Sequence, residues 1–587
     1  MSTRYPKDSV RRYSQLTVGL LAALAVSVLS CSEPTEQPST FLNPKQPVER
    51  RVNDLVRRLR PDEQLALLRG AAIDRLGIPA RQTVLGAPAT AFPANIGLAA
   101  TWNTGLAERI GGAIAQQARA LGRAQILGPS TDISHSPLSG NVFETWGEDP
   151  WLASRIVAGY ISGVQGEGEI ATAIYPPAAG SPDTRSARES ELRPLEAAVT
   201  EAGVWAVALP ERAAPESNPI RSFLRVELGF RGFTLQSSAA DNSSLNLQVR
   251  GILRAMFSSG AFDREVKHSA EIETPAHRAI ARDAAAQSIV LLKNENALLP
   301  LDPKRIRRIA VIGPNAATNR IPGSKYTVQA RYSDPPLDAL RAIFGSRLFV
   351  AASPAETANA DAAIVFAGTG AKTEAETLNR TSLDLPPGQN ELIAAVAKAN
   401  HNTVVVLIAG YPVATARWIH EVPALLDAWF PGEEGGHAIA DVLTGAINPS
   451  GRLPITFATD FPFGYGLSYT QFEYSGLTVE PAEVSPGQFV EVGLDVRNAG
   501  SRAGRETVQL YLRAANSSAP QLLRGFEQVD LNPGESKRVH FTLTGAATAY
   551  FDETRQDWVQ PQQSLFEIRA ASASADIRAT GRFAVTE

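Results

Sequence analysis

The stretch DAAIVFAGTG (361–370) is followed by EAETLNRTSLDLP (374–386), VVVLIAGYPV (404–413) and DAWFPGEEGG (427–436). The first and third segments are continuous apolar runs that end in glycine, which is typical of strands buried inside a sheet. The second and fourth segments carry carboxylates. Because loops at the ends of strands carry the acid–base groups of α/β folds, this pattern predicts carboxylates at the rim of a buried sheet.

The rest of the chain divides into regions of different periodicity. Residues 48–263 alternate short apolar runs with helical patterns, which predicts a parallel α/β domain. Residues 276–460 contain the opening stretch and form a second α/β domain. Residues 461–587 alternate polar and apolar side chains with turn signals between them, which predicts a β-sandwich.

Composition is that of an ordinary globular protein. The chain has 587 residues, of which 44% are hydrophobic and 20% charged, with a net charge of −4. No basic stripe suggests a nucleic-acid partner. The seven histidines are scattered without metal-ligand spacing, so no metal is predicted. Nothing in the sequence implies a cofactor.

The N-terminus has the form of an export signal. Basic residues precede an apolar run over 16–29, and Ser30 and Cys31 follow it. The motif at 28–31 resembles a bacterial lipobox, which implies a signal peptide over 1–31, lipidation of Cys31 and a membrane partner through the lipid. Ser32 then favours sorting to the outer membrane. An uncleaved membrane anchor is the alternative. The polar, proline-rich segment 32–47 predicts a disordered tether.

Several motifs carry a resemblance to one enzyme family. They are ATAFPANIGLAATWN (89–103), FETWGEDPWLASRIVAGYISGVQ (143–165), IVLLKNENALLPL (289–301) and RIAVIGPNA (308–316). These segments and the opening stretch resemble family 3 glycoside hydrolases of the β-glucosidase type with a fibronectin type III-like C-terminal domain. The resemblance implies a TIM-like (β/α) barrel, an αβα sandwich and an all-β sandwich, in that order.

Retaining glycosidases of this type need two carboxyl groups about 5–5.5 Å apart, one acting as nucleophile and one as acid/base. Glu376 matches the family's acid/base glutamate, within a loop that reads Glu374 to Arg380. Both glycines of the family loop are replaced here, by Ala375 and Thr377. A loop without glycine reaches positive φ only at a cost, so its tip is expected to differ.

The nucleophile position is replaced. Ser237 stands where the family has its attacking aspartate, and a serine hydroxyl is a poor nucleophile without an adjacent base. Asp241, four residues later, is the candidate for a displaced nucleophile. Arg212 is the candidate substrate-binding residue, by its match to the arginine of the family's Y-N-R.

Other sugar-contacting positions of the family also differ in this sequence, which makes the site degenerate. Leu85 stands at an aspartate and Asn141 at an arginine, His135 occupies the arginine position of the family's H-R-S-P, and the Lys-His pair is missing from Ala171–Pro176. Losing several such groups leaves the hydroxyls of a bound sugar without partners.

The first domain is also short. Only 26 residues separate Ser237 from Asp263, and they hold one helix. A (β/α) barrel typically takes ~250 residues, whereas the segment from Val48 to Phe262 has about 215. We therefore expect an incomplete or open barrel.

Three functions remain open at this stage. The first is a family 3-type lipoprotein with weak or no turnover that binds a glycan or glucoside. The second is an active exo-acting β-glucosidase or β-xylosidase that pairs Glu376 with a displaced carboxylate, Asp241 or Glu211. The third is a non-catalytic structural surface protein. The sequence leaves the natural glycan and the oligomeric state undetermined.

Overall fold

The computed structural model describes residues 39–84, 90–176, 179–210, 218–235, 242–263, 272–318, 330, 332–369, 379–457, 461–515 and 518–586. Among these residues, no helix combines the length and apolarity needed to cross a bilayer.

The first domain is built on a parallel sheet. Its strands are β1 (Thr83–Val84), β2 (Gln125–Ser130), β3 (Ile170–Ile174), β4 (Ala206–Ala208) and β5 (Phe233–Leu235), and each pairs in parallel with the next. Within the described residues this sheet runs from β1 at one edge to β5 at the other. The TIM-like α/β architecture expected from the sequence is confirmed, and its sheet has fewer strands here than a closed barrel.

Helices cover this sheet. They are α1 (Val48–Arg58), α2 (Pro61–Leu68), α3 (Asn95–Ala100), α4 (Thr104–Ala120), α5 (Pro150–Gly166), α6 (Arg193–Thr200), α7 (Pro219–Ser222) and α8 (Asn242–Ser258). Side-chain caps fix two of the starts, because Asn103 accepts a hydrogen bond from the amide of Leu106 and Asp149 accepts from those of Trp151 and Leu152.

Helices α4 and α5 pack with their backbones nearly in contact. A Cβ atom on Gly111 would lie 2.2 Å from the carbonyl oxygen of Tyr160, and one on Gly163 would lie 1.9 Å from that of Glu108. Only glycine permits this approach. The two helices therefore form one rigid layer on the first domain.

The second domain is an αβα sandwich. Its strands are β6 (Val290–Asn294), β7 (Ile309–Ile312), β8 (Leu348–Val350), β9 (Ala362–Gly368), β10 (Thr403–Ile408) and β11 (Ala424–Asp427), in the order β6-β11-β10-β9-β7-β8. All pairings are parallel except β6 with β11. Every residue of β9 and β10 is buried. This burial on both faces explains their continuous apolar sequences. The helices of this domain are α9 (Pro275–Ser288), α10 (Pro336–Phe344), α11 (Gln389–Ala399) and α12 (Gly435–Thr444).

The third domain is the predicted all-β sandwich. The first sheet contains three strands, β12 (Phe472–Glu480), β14 (Val490–Asn498) and β17 (Ser536–Leu543). The second sheet contains, in spatial order, β13 (Glu483–Val484), β21 (Asp576–Val585), β20 (Ser564–Ala573), β15 (Gly504–Ala514) and β16 (Leu522–Leu531). A small ribbon joins β18 (Tyr550–Asp552) to β19 (Asp557–Val559). Alternate residues of β14, from Val490 to Val496, point into the apolar core between the sheets.

A buried ion pair joins the second and third domains. Arg452 Nη2 lies 2.7 Å from Glu506 Oε2, and both side chains are almost fully excluded from solvent. Tyr474 donates its hydroxyl hydrogen to the other carboxylate oxygen at 2.8 Å. Burial raises the pKa of Glu506, and the charge of Arg452 opposes that shift. The two opposite charges therefore compensate each other, whereas burying either charge alone would be costly.

Replacing Arg452 by alanine is expected to lower the free energy of unfolding by about 3–5 kcal/mol, because it leaves Glu506 charged and unpaired in the interior. Denaturant or thermal unfolding of the whole chain measures the change. The control is Arg497→Ala, which removes the exposed pair with Glu473 and should cost about 1 kcal/mol or less. Equal losses in the two variants would contradict this account of the domain junction.

Candidate active site

The carboxyl ends of the first domain's strands are tied together by hydrogen bonds. Thr131, directly after β2, donates through its amide (3.1 Å) and its hydroxyl (2.8 Å) to the carbonyl oxygen of Ile174 at the end of β3. The amide of Tyr175 donates to Ala208, and that of Leu209 donates to Leu235. The segments that leave β2 to β5 therefore start from one shared edge, where TIM-like folds place their active sites.

Asp132 is the buried carboxyl at this edge. It is 5% exposed, and its Oδ2 accepts a hydrogen bond from Asn141 Nδ2 at 3.2 Å. His135 Nε2 lies 3.9 Å from Oδ1. Burial raises the pKa of the Asp132 carboxyl, the charge of Glu191 raises it further, and His135 and Asn141 oppose the shift. This environment disfavours the charged form of Asp132 relative to that of an exposed aspartate.

The second domain docks on this edge through Arg380. Its amide donates to Leu138 O at 2.8 Å, its Nη1 donates to Ser139 O at 2.6 Å, and its guanidinium lies 3.7 Å from the ring centroid of Tyr411. The amide of Gly140 donates to Asn379 Oδ1 at 3.2 Å. Asn379 and Arg380, which follow Glu376 in the sequence, are thus held against residues 138–140. The next residue, Asn141, donates the hydrogen bond to Asp132.

The loop that carries Glu376 is also fixed where it begins. Gly368, the last residue of β9, exchanges two hydrogen bonds of 2.8 Å with the side chain of Gln389. One end of the loop is therefore anchored within the second domain, and the other on the first domain.

The sequence-predicted site residues themselves lie outside the described residues. They are Glu376, Ser237, Asp241, Arg212 and Cys31. Their roles stay predictions. What the structure adds is the position of their neighbours: β5 ends at Leu235, two residues before Ser237, and Asn379 follows Glu376 by three residues.

A second buried carboxyl, Glu433, links the two domains. Its amide donates to Ala91 O and its Oε2 accepts from the amide of Ala91, both at 2.8 Å. The preceding residue, Gly432, has φ of +80°, and a Cβ atom there would lie 2.3 Å from Ala91 O. The glycine of the GEEGG motif is therefore required for this close approach.

The charge environment of Glu433 is unusual. Burial raises the pKa of its carboxyl to about 7; the amide of Ala91 and Arg278 oppose the shift, and Glu273 and Glu434 add to it. His437 lies beside this group, with Nδ1 2.9 Å from carboxylate oxygens of both Glu434 and Asp334. Among the described residues, no cluster of histidine, cysteine or acidic side chains could hold a metal ion.

Comparison with known proteins decides the family. The sequence matches the Glycosyl hydrolase family 3 N terminal domain over residues 71–242, the Glycosyl hydrolase family 3 C-terminal domain over 289–478 and a Fibronectin type III-like domain over 506–574. It is 32% identical to Thermostable beta-glucosidase B of Acetivibrio thermocellus, over 84% of this chain and 79% of that protein. The chain belongs to glycoside hydrolase family 3.

One further relative is similar in sequence, and one solved structure is similar in fold. The chain is 28% identical to a Beta-xylosidase of Formosa agariphila, over 92% of this chain and 96% of that protein. The crystal structure of a Beta-glucosidase from Kluyveromyces marxianus in complex with glucose shares the fold, with a TM-score of 0.81 at 23% identity, covering 91% of this chain and 99% of that one. The predicted family 3 scaffold is confirmed.

Asp132 and Glu433 were not singled out by the sequence reasoning. Asp132 is the second residue after β2, and a carboxylate so close to the end of a strand can be predicted to lie at the sheet edge. Glu433 lies in a motif that was noted, but the sequence does not distinguish it from Glu434. Its partner, Ala91, is 342 residues away, so only the folded structure brings them together.

Glu433→Gln tests the raised pKa. The folded state holds the Glu433 proton up to about pH 7, whereas the ordinary value of 4.5 applies when the chain is unfolded. The native protein therefore loses stability as the pH rises from about 4.5 to about 7, and the loss is complete above that value. Glutamine is neutral at every pH and still accepts from Ala91. We therefore expect similar melting temperatures at pH 5, and at pH 8 a variant that is more stable by on the order of 2 kcal/mol.

The matched control is Glu421→Gln, at an exposed position in the same domain. Its difference from the unmodified protein should not depend on pH. A Glu433→Gln variant whose stability difference is the same at pH 5 and pH 8 would show that Glu433 is already ionised throughout.

Proposed function

We propose that this protein is a glycan-binding member of glycoside hydrolase family 3 with weak or no hydrolysis of its own. The observation that carries the proposal is the serine at position 237, two residues beyond the end of β5. The family reaction needs an ionised carboxylate there to attack the anomeric carbon. A serine hydroxyl without a neighbouring base does not supply one.

Asp132 is a poor replacement for that nucleophile. A nucleophilic carboxylate must ionise readily, whereas burial raises the pKa of Asp132 above its ordinary value. Its Oδ2 is also engaged by Asn141. The one buried carboxyl that the structure describes at the edge after β2 is therefore suited to hydrogen bonding with a ligand rather than to attack.

A glycan ligand is supported by the preserved scaffold. The related Kluyveromyces marxianus enzyme is in complex with glucose, and the fold that surrounds the sheet edge is shared. Arg380 and Asn379 hold the second domain against that edge, as a binding cleft requires. We propose glucose and β-linked glucosides or xylosides as the ligands.

An active exo-acting β-glucosidase or β-xylosidase is the second candidate. It is favoured by Glu376, which matches the family's acid/base residue in a loop with two fixed ends. In this case Asp241 or Glu211 would act as a displaced nucleophile.

We further propose that the protein is exported and anchored to the outer membrane through a lipid on Cys31. The proposal rests on the lipobox-like residues 28–31 and the polar segment 32–47. Metabolic labelling with a fatty-acid analogue tests it, and a Cys31→Ala variant should incorporate no label.

Turnover and binding assays on the whole chain separate the two candidate functions. We expect 4-nitrophenyl β-glucoside and β-xyloside to be hydrolysed at no more than the background rate, and glucose in excess to raise the melting temperature. A ligand at 100 times its Kd stabilises the folded state by about 2.7 kcal/mol. Hydrolysis above background that disappears in Glu376→Gln would establish the second candidate instead.

Ser237→Asp provides the matched gain-of-function experiment. Restoring a carboxylate at the nucleophile position should give hydrolysis that is detectable above background but weak, because the other sugar-contacting positions remain changed and such groups act together. Ser238→Asp, one residue further along, should have no such effect. Adding Glu376→Gln to Ser237→Asp should return the rate to background, and a rate that remains above background would exclude Glu376 as the acid/base residue.

A further inference from the structure

A cavity of about 570 Å³ lies between the first and third domains, and none of its lining residues is among those described at the candidate active site. On one side are residues at the start of α4 and α5, including Asn103, Trp151 and Arg155. On the other side are residues of β15, β16 and β17. Its size is that of a site for a ligand of a few sugar units or a drug-sized molecule. We call it the interdomain cleft.

The floor of the interdomain cleft is held by direct contacts between the domains. Trp102 packs on Phe463 and Phe526 with ring centroids 5.2 Å apart in both pairs. Its Nε1 donates to Arg452 O at 3.2 Å, and Gln528 Nε2 donates to Thr101 O at 2.8 Å. The cleft is therefore formed without a ligand, which lowers the entropy cost of binding.

Two of the three arginines that line the cleft have carboxylate partners. Arg505 makes a bidentate pair with Asp530 at 2.8 and 2.9 Å. Arg155 pairs with Glu201, and its guanidinium lies 5.2 Å from the ring centroid of Trp151. The charges of these two arginines are thus compensated within the protein.

Arg524 is different. Its Nε donates to Ala547 O at 2.9 Å and its Nη1 to Leu523 O at 3.0 Å, but within the described residues it makes no ion pair. Burial lowers the pKa of Arg524 to about 10; the charge of Arg193 lowers it further, and the more distant Asp149 and Glu189 oppose the shift. A largely buried cation without a paired anion is costly. An anionic ligand group in the cleft would offset that cost.

The aromatic side chains define the rest of the ligand. Trp151 is half-buried at the wall of the cleft, and Phe526 and Phe541 lie across from it. Flat apolar faces beside amide and carboxyl groups, here Gln528 and Glu527, suit a sugar ring, which has apolar faces and a rim of hydroxyls. A guanidinium adds recognition of a carboxylate, because its planar geometry matches two carboxylate oxygens.

We propose that the interdomain cleft binds an acidic oligosaccharide, with a sugar ring against Trp151 and a uronic acid carboxylate on Arg524. The cleft is a separate site, and ligand binding there does not depend on hydrolysis at the sheet edge.

Calorimetric titration of the whole chain tests the proposal, with trigalacturonate as the acidic probe and cellotriose as the neutral one. We expect trigalacturonate to bind at least 10 times more tightly than cellotriose. Arg524→Gln should weaken trigalacturonate binding at least 10-fold, Arg524→Lys should weaken it less because the charge remains, and Trp151→Ala should weaken both probes. Thermal melts of each variant verify that it is folded.

Arg538→Gln is the matched control, because Arg538 is on β17 but does not line the cleft and pairs with Asp495 instead. It should leave trigalacturonate binding unchanged. The proposal is overturned if trigalacturonate does not bind, if cellotriose binds as tightly, or if folded Arg524→Gln retains full affinity. Glucose should bind at the sheet edge with the same affinity in Arg524→Gln as in the unmodified protein. The proposed cleft site and the proposed active-site ligand are therefore tested independently.

Discussion

The docking of Arg380 onto residues 138–140 is the contact on which the candidate active site depends. A glycosidase site of this type is shared by two domains, so its geometry exists only while the second domain is held against the sheet edge of the first. Arg380 satisfies two carbonyl oxygens of a segment that has no strand partner, and it stacks on Tyr411 of its own domain. The contact therefore orders the first-domain segment and positions the second-domain loop at the same time.

The changes at the sheet edge are mutually consistent in their electrostatics. In the family pattern an arginine stands at position 141, whereas here Asn141 donates a neutral hydrogen bond to Asp132. Without that cation an ionised Asp132 would be costly in a buried site, and burial accordingly raises the pKa of its carboxyl. Serine at position 237, where the resemblance places an aspartate, is also uncharged.

Much of the fold was predictable because it depends on local patterns. The runs of β9 and β10 are apolar throughout because both faces are covered, and β14 alternates because one face meets the sandwich core. Pro275 marks the start of α9, as its fixed φ requires. The family motifs indicated the order of the domains as well.

The site was predictable only where a residue's role follows from its place in a motif. Glu433 owes its behaviour to burial and to Ala91, which is far away in sequence. Asp132 owes its behaviour to burial and to the fold of the segment that brings His135 and Asn141 beside it. The hydrophobic pattern of the sequence does not indicate such contacts. The interdomain cleft is a further case, because Trp151 and Arg524 belong to different domains and each alone would pass for an ordinary surface residue.

The packing of Trp102 has a consequence for how this family can change its architecture. The indole belongs to the first domain but is covered by Phe463 and Phe526, which follow the second domain and lie in the sandwich. A lineage that lost the C-terminal sandwich would uncover this aromatic cluster together with the buried charge of Arg452. The sandwich is thus retained as part of the hydrophobic interior, and its deletion would need compensating replacements in both other domains.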